Sequence, residues 1–122
     1  MTTYTTYEIR SGVFAIEEGA VRMYLIVGSR EALLLDTGSG ALKYEGKTIE
    51  LTRNEFRILL ALMEKRGTVV SREKLMERLW ETDSFVDENT LTVNVNRLRK
   101  KLDAAGLTGF IATRFGVGYI IE

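Results

Sequence analysis

The chain has 122 residues, of which 45% are hydrophobic and 28% are charged, and its formal net charge is zero. This composition is typical of a globular domain and disfavours a disordered chain. Cys and His are both absent, which excludes disulfides and thiolate chemistry and removes the commonest general base and metal ligand. The apolar runs are too short to cross a bilayer and the N-terminus does not resemble a signal peptide, so we expect a cytoplasmic protein with no membrane partner.

The first 40 residues have the pattern of β-strands. Residues 7–16 alternate around a turn at Ser11-Gly12, which predicts a hairpin. Two apolar runs, residues 23–27 and 32–35, come next and are separated by a short polar loop, which predicts a second hairpin.

The last of these runs ends in Asp36-Thr37-Gly38, a tripeptide that several unrelated kinds of protein use. An aspartic protease needs two such turns and a β-rich second half to bury its pair of carboxylates, whereas the chain after Gly40 is predicted to be helical. A phosphoacceptor aspartate belongs to a receiver domain of alternating strands and helices, for which 40 residues are too few. We therefore interpret the tripeptide as the end of a strand and the start of a turn.

Residues 41–51 predict a short hairpin that turns at Glu45-Gly46, and helical periodicity begins after them. Thr52 and Glu55 have the spacing of a capping box, in which each side chain accepts a hydrogen bond from the backbone N–H of the other residue. This pair predicts the start of a first helix, which Gly67 ends.

Two more helices and a hairpin are predicted in the rest of the chain. Ser71 caps the second helix, whose residues expected to face inward are Leu75, Met76, Leu79 and Trp80. A polar loop over residues 81–88 leads to a third helix over residues 89–105. The chain closes with a hairpin that turns at Gly116-Val117-Gly118.

The third helix is amphipathic in an unusual way. Its predicted core stripe consists of Leu91, Val95, Leu98 and Leu102. The opposite face carries Thr92, Val93, Asn96, Arg97 and Lys100, with Asn94 and Lys101 at one edge. A solvated helix face usually mixes charges of both signs, but no acidic residue lies between Asn89 and Leu102. A helix in the major groove of DNA explains this face, because Asn and Arg bind base edges, Val contacts thymine methyl groups and Lys neutralises phosphates.

The order of two strands, two helices, a loop, a basic helix and a hairpin is that of a winged helix-turn-helix. Three segments, ELTRNEFRILLALMEKRGTVVSREKLMERLW, DENTLTVNVNRLRKKL and TRFGVGYII, resemble the OmpR/PhoB-type DNA-binding domain of two-component response regulators. The resemblance covers residues 42–122, and FVDENTLTVNVNRLRKKL is most similar to the branch that responds to cell-wall-active antimicrobial peptides. It implies an α+β fold, a winged helix-turn-helix with three helices and a C-terminal hairpin wing preceded by an antiparallel β-sheet. It also implies transcription regulation through sequence-specific binding of double-stranded DNA.

The resemblance assigns DNA contacts to positions of the third helix and the wing. The predicted DNA-binding residues are Thr90, Thr92, Val93, Asn94, Asn96, Arg97, Arg99, Lys100, Lys101, Thr113, Arg114 and Tyr119. Among them, the positions that read bases in the family are those of Thr92, Val93 and Arg97. The positions that contact or border phosphates are those of Thr90, Asn94 and Arg99, and the position of Asn96 is often basic in relatives.

The wing and the loop before the third helix have further implied roles. In the family the wing, here Gly116–Tyr119, reaches a minor groove, and the loop over residues 81–88 corresponds to a segment that meets RNA polymerase. Phe115 is a departure, because this position is usually Arg or Lys, and Arg114 should point to the other side of its strand. We therefore expect weaker contact with the minor groove, or a Phe115 side chain that packs within the wing.

Residues 12–40, GVFAIEEGAVRMYLIVGSREALLLDTGSG, resemble the opening strands of metallo-β-lactamase-like proteins. The histidine-rich metal motif of those hydrolases is absent, so no cofactor, metal site or enzymatic activity is expected. The sequence thus predicts a chimera, with a hydrolase-like β-strand segment without an active site over residues 1–40 and a winged-helix domain over residues 41–122. We expect the early strands to extend the edge of the hairpin at residues 41–51.

Three functional interpretations remain at this point. The first is a DNA-binding regulator of response-regulator type without a receiver domain, because 40 residues cannot form one. The second is a natural or engineered chimera of two folds with no evolved function. The third is a dimerisation module in which the β-strands of residues 1–40 pair two copies of the chain as a homodimer.

Overall fold

A computed structural model of the chain describes residues 5–10, 13–17, 21–27, 31–36, 40–81 and 86–121, and before residue 40 it describes side chains only at Val13 and residues 33–36. The elements, in chain order, are β1 Thr5–Arg10, β2 Val13–Glu17, β3 Val21–Val27, β4 Glu31–Asp36, β5 Ala41–Tyr44, β6 Lys47–Glu50, α1 Arg53–Glu64, β7 Val70–Ser71, α2 Arg72–Trp80, α3 Glu88–Ala104, β8 Ala112–Arg114 and β9 Gly118–Ile120. The predicted α+β fold, with three helices, a C-terminal hairpin and a preceding antiparallel sheet, is confirmed. The predicted turn at Ser11-Gly12 lies outside the described residues. None of the helices in the described ranges is long and apolar enough to cross a membrane.

Strands β1 to β6 form one antiparallel sheet in which each strand pairs with the next one along the chain. In the pairing of β4 with β5, Leu33 lies opposite Tyr44 and Leu35 lies opposite Leu42. All four side chains are buried, as expected for alternate residues on the inner face of a half-buried sheet. The early strands therefore extend the β5–β6 hairpin, as the sequence predicted. A division of the chain into two domains at residue 40 stays a prediction.

One hydrophobic core joins this sheet to the three helices. Val13 of β2 and the buried residues of β4 and β5 belong to the same cluster as the apolar faces of α1, α2 and α3. The α3 members of the cluster are the predicted ones, Leu91, Val95, Leu98 and Leu102. Burying a Leu or Val side chain contributes about 1.5–3 kcal/mol, so this stripe determines which side of α3 faces the interior.

The prediction that Trp80 faces inward is wrong. Leu75 and Leu79 of α2 are fully buried, whereas 56% of Trp80 is exposed at the C-terminal end of the helix. The indole N–H of Trp80 donates a hydrogen bond to the Val86 carbonyl at 3.0 Å. The two leucines fill the interior side of this short helix, and the tryptophan ring remains outside with its one donor satisfied.

The predicted capping box of α1 is confirmed, and its Glu55 carboxylate also binds a lysine of α3. The Glu55 N–H donates to the Thr52 hydroxyl at 3.2 Å, and the Thr52 N–H donates to the Glu55 carboxylate at 2.8 Å. The Lys101 ammonium of α3 lies 2.5 Å from the same carboxylate and donates to the Glu50 carbonyl at 2.9 Å. Because Glu55 is almost completely buried, leaving its carboxylate oxygens without these partners would be unfavourable. Lys101 therefore holds the C-terminal half of α3 against the start of α1.

The C-terminal hairpin is attached to the helices through β7. Strand β9 pairs with both β7 and β8, so the hairpin belongs to a three-stranded sheet. A side chain at Gly118 would place its Cβ 1.9 Å from the Val70 carbonyl oxygen, so only glycine allows these two strands to approach each other. The Gly67 N–H donates to the Ile121 carbonyl at 2.8 Å and the Arg72 N–H donates to the Val117 carbonyl at 3.2 Å. These bonds fix the hairpin to the segment that connects α1 with α2.

The Lys101→Met substitution should lower the free energy of unfolding by about 1–3 kcal/mol, because the buried Glu55 carboxylate loses a charged hydrogen-bond partner. Lys100→Met is the matched control, since it removes the same charge from the exposed neighbouring position and should change stability by less than about 0.5 kcal/mol. Urea denaturation followed by circular dichroism measures both values. Equal stabilities of the two variants would show that the ion pair does not hold α3 on α1.

Candidate nucleic-acid interface

The side of α3 opposite the leucine stripe is open to solvent. Asn96, Arg97 and Lys100 are exposed, and Val93 between them is half-buried. Within residues 40–81 and 86–121, none of the three exposed polar side chains takes part in a hydrogen bond or an ion pair. We call Val93, Asn96, Arg97 and Lys100 the outer face of α3. Its donors and acceptors are therefore available to a ligand.

The N-terminus of α3 is fixed by its N-cap, Asp87. The carboxylate of Asp87 accepts hydrogen bonds from the Thr90 N–H at 2.7 Å and from the Thr90 hydroxyl at 2.8 Å. These bonds, the backbone one foremost, hold the pKa of Asp87 below its usual value. The ionised carboxylate stabilises the positive end of the helix, and the Thr90 hydroxyl is already engaged in the free protein.

Arg72, the first residue of α2, connects α3 with the wing. Its guanidinium group donates to the Tyr119 hydroxyl at 2.6 Å, to the Glu88 carbonyl at 2.8 Å and to the Thr92 hydroxyl at 2.7 Å. It also lies 5.7 Å from the centre of the Tyr119 ring. The sequence analysis missed this residue, because its partners lie 16 to 47 positions further along the chain and no local pattern marks them.

Arg99 makes a second connection between α3 and the wing. Its Nε–H donates to the Ile111 carbonyl at 3.2 Å, and its terminal nitrogen donates to the Thr113 hydroxyl. The guanidinium group lies 5.3 Å from the centre of the Tyr119 ring, within the range of a cation–π contact. We call Arg72, Arg99, Thr113 and Tyr119 the wing anchor, since these four side chains hold the hairpin at a fixed position beside α3.

The predicted DNA-binding residues thus fall into groups with different surroundings. The exposed ones are Asn96, Arg97, Lys100 and Arg114. The half-buried ones are Thr90, Thr92, Val93, Arg99, Lys101 and Thr113, and all of these except Val93 have an intramolecular polar contact. Asn94 and Tyr119 are buried, and the Asn94 amide donates to the Thr90 carbonyl at 2.8 Å. The roles of all twelve residues in DNA binding stay predictions, and the exposed group is the one whose side chains are open to solvent and within reach of a duplex.

Phe115 lies at the tip of the wing. The expectation that its side chain packs within the wing is wrong, because 93% of the residue is exposed. The hairpin turns over residues 114–117, where the Val117 N–H donates to the Arg114 carbonyl at 3.0 Å. A turn this tight points the second residue away from both strands, so no neighbouring side chain covers the ring.

Positive charge is concentrated on α3 and the wing, although the whole chain has no net charge. Four of the five residues at positions 97–101 are cationic. No acidic residue occurs between Asn89 and Leu102 or between Ala104 and Ile121. The balancing acidic residues lie elsewhere in the chain, so the side formed by α3 and the wing is suited to a polyanion.

The chain matches the model of the family described as "Transcriptional regulatory protein, C terminal" over residues 46–121. This range begins in the β5–β6 hairpin and ends after β9. It therefore includes α3, the wing and the wing anchor.

The chain is similar to curated regulators of bacterial signal transduction. It is 55% identical over 75 residues to the sensory transduction protein BceR of Bacillus subtilis, a match that covers 62% of this chain and 32% of that protein. It is 43% identical over 86 residues to the response regulator protein GraR of Staphylococcus epidermidis, covering 70% of this chain and 38% of that protein. The chain thus spans well under half the length of these relatives.

Solved structures of DNA-binding domains are similar as well. The C-terminal domain of the nisin resistance regulator NsrR, a lantibiotic response regulator, superposes with a TM-score of 0.65 at 44% identity, covering 73% of this chain and 89% of that domain. The DNA-binding domain of the response regulator AdeR, solved in complex with an intercistronic region, gives a TM-score of 0.66 at 27% identity and covers 74% and 92%. From the matched family model, the identity to these regulators and the shared winged helix, the chain belongs to the OmpR/PhoB-type family of DNA-binding domains found at the C-terminus of transcriptional regulatory proteins.

Proposed function

We propose that this chain binds double-stranded DNA in a sequence-specific way, with the outer face of α3 in the major groove, and that it regulates transcription in the manner of a response regulator. The proposal depends mainly on Asn96 and Arg97. Both are exposed on a helix face without carboxylates, and neither has a polar partner among the residues that the structure describes. A groove about 12 Å wide admits one α-helix. The similar AdeR domain was solved in complex with an intercistronic region, which supports DNA as the partner here.

The chemistry of the outer face indicates which bases it reads. The guanidinium group of Arg97 fits the paired acceptors O6 and N7 of guanine, and the Asn96 amide fits N6 and N7 of adenine. Val93 offers an apolar surface to a thymine methyl group. The Thr92 hydroxyl is hydrogen-bonded to Arg72 and to the Glu88 carbonyl, so its contribution to base reading is smaller than that of Arg97.

Lys100 and Arg114 are suited to phosphates rather than bases. Both are exposed, one on the outer face of α3 and the other in the wing. A lysine ammonium is a compact charge that neutralises a phosphate without reading sequence. Arg99 and Lys101 act mainly within the protein, where they hold the wing and α1 in place, and any phosphate contact they make is additional to that role.

Other parts of the proposal concern partners and context. RNA polymerase is a proposed partner through the loop over residues 81–88, of which residues 82–85 lie outside the described part. We also propose that the chain forms a homodimer through the edge strand β1. Its proposed location is the cytoplasm, and its proposed role is in the response to cell-wall-active peptides. The last is supported by the name of one similar protein, a nisin resistance regulator. The metallo-β-lactamase-like origin of the early strands stays a prediction.

Arg97→Ala should lower affinity for the preferred duplex by about 5- to 150-fold, which corresponds to the loss of about 1–3 kcal/mol from a paired base contact. It should also relax the preference at one base position while non-specific binding changes little. Selection of bound sequences from a random duplex library, followed by fluorescence anisotropy, measures both effects. Lys47→Ala, which removes an exposed cation from the β5–β6 turn, should bind as the wild type does. Wild-type affinity and selectivity in the Arg97 variant would refute the proposed role of the outer face.

Lys100→Ala should weaken binding to all duplexes alike, because its ammonium neutralises one phosphate. The slope of the logarithm of the binding constant against the logarithm of the salt concentration should fall by about 1 unit. A titration between low and physiological salt gives this slope for the wild type and the variant. A Lys100 variant with an unchanged slope but altered base preference would instead assign this residue to base reading.

A further inference from the structure

The wing ends in an exposed apolar pair. The large hydrophobic residues exposed in the described part of the chain are Trp80, Phe115 and Val117, and two of these three lie in the same turn. Phe115 is 93% exposed and Val117 is 54% exposed. Exposing a phenylalanine side chain to water is unfavourable, and nothing within the wing compensates for it, so an external surface that covers this pair would bind with a gain.

The shape of the turn presents Phe115 as the tip of a narrow element. Gly116 follows it with a φ of 76° and no atom within 4 Å of the position where a Cβ would lie. A positive φ at the third residue and a hydrogen bond from Val117 to Arg114 are typical of a type II turn. Without a side chain at Gly116, the tip is little more than one aromatic ring across, which fits a minor groove about 6 Å wide.

The support of this tip is rigid. The Val117 carbonyl accepts from the Arg72 N–H, and Gly118 lies directly against the Val70 carbonyl. Arg99 donates to the Ile111 carbonyl and the Thr113 hydroxyl on the other strand. The hairpin is therefore tied to the same helix that carries the outer face, so a duplex held on α3 meets the wing tip at a fixed distance.

The residues around Phe115 and Val117 favour a polyanion as the ligand that covers them. Arg114 is exposed immediately before Phe115, and no acidic residue lies between Ala104 and Ile121. A second copy of the chain is a poor fit, because two side chains provide much less than the roughly 800 Å² per partner that a stable protein interface buries. The DNA already placed beside α3 by the proposed function offers both the phosphates and an apolar stack of bases.

We infer that Phe115, supported by Val117, is a wedge that enters the minor groove and partly separates two adjacent base pairs, bending the DNA toward the major groove. This inference rests on the proposed function, since it requires α3 to hold the duplex. Proteins that bind the minor groove use apolar side chains in this way. The wing then reads the deformability of the DNA, and the step beneath it should be a flexible pyrimidine–purine step such as TA or CA.

The test uses the full chain and a duplex selected by it from a random library, with 2-aminopurine placed in turn at each adenine of the flanks. Binding of the wild type should raise the fluorescence about twofold or more at one step, because the reporter base loses a stacking partner there. Energy transfer between dyes at the two ends of the duplex should report a bend in the same complex. A wild-type complex with neither a fluorescence gain at any step nor a bend would overturn the wedge.

Three substitutions of Phe115 separate insertion from affinity. Phe115→Ala should abolish the fluorescence gain, reduce the bend and remove the preference for a flexible step, while discrimination that depends on Arg97 remains. Phe115→Leu should keep most of the gain, since it preserves an apolar wedge. Phe115→Arg should keep or raise affinity through phosphate attraction without any gain in fluorescence. A full gain from the alanine or arginine variant would contradict the inference.

The outcomes also distinguish this inference from the proposed function. If binding is specific and depends on Arg97 but no base is unstacked, the proposed function stands and only the wedge is refuted. A wild-type chain that selects no duplex removes both. Because Phe115 is exposed, all three variants should unfold at the wild-type temperature, and thermal melts of the free proteins check this.

Discussion

The position of the wing relative to α3 depends on the wing anchor. Tyr119 is buried, and the guanidinium groups of Arg72 and Arg99 both lie within 6 Å of its ring. Each guanidinium group also bonds to other parts of the protein, Arg72 to the first turns of α3 and Arg99 to strand β8 and the residue before it. These acceptors hold both cations beside one ring. They add side-chain contacts to the β7 pairing and the backbone bonds of Gly67 and Arg72 that also orient the wing.

Some of the cations of α3 are engaged within the protein, either in the wing anchor or in the contact with α1. Arg99 and Lys101 belong to a basic run in the sequence, yet each is bonded to a partner that α3 itself does not contain. The remaining cations, Arg97 and Lys100, are exposed on the face opposite the leucine stripe, with Arg99 and Lys101 on its two flanks. A basic helix can thus use part of its charge for internal order and the rest for a ligand, according to which cations lie near another element of the fold.

Zero net charge is compatible with DNA binding when charges are separated in space. Carboxylates are absent from the wing and from α3 between Asn89 and Leu102, whereas α1 and α2 carry two each. Phosphates respond to the local potential within about one Debye length, roughly 8 Å at physiological ionic strength. The early strands contribute Val13, Leu33 and Leu35 to the core against which α1 and α3 pack.

Much of the fold and part of the candidate site could be predicted from the sequence, because local patterns encode them. The leucine stripe of α3 and the capping box at Thr52 depend on spacings of three or four residues along one helix, and both are present in the structure. The freedom of Asn96 and Arg97 followed from the same helical period. The exposed positions of Trp80 and Phe115 did not, since an apolar residue is expected to find a neighbour to pack against.

The sequence by itself determined the leucine stripe of α3 and that the opposite, basic face carries no carboxylates. Only the tertiary structure decided which of those cations are available to a ligand. Lys101 meets Glu55 across 46 positions of the chain and Arg72 meets Tyr119 across 47. Spacing along a helix determines the direction in which a side chain points but not its distance from another element. A side chain close to another element bonds within the protein, whereas a side chain far from one remains exposed and can contact DNA.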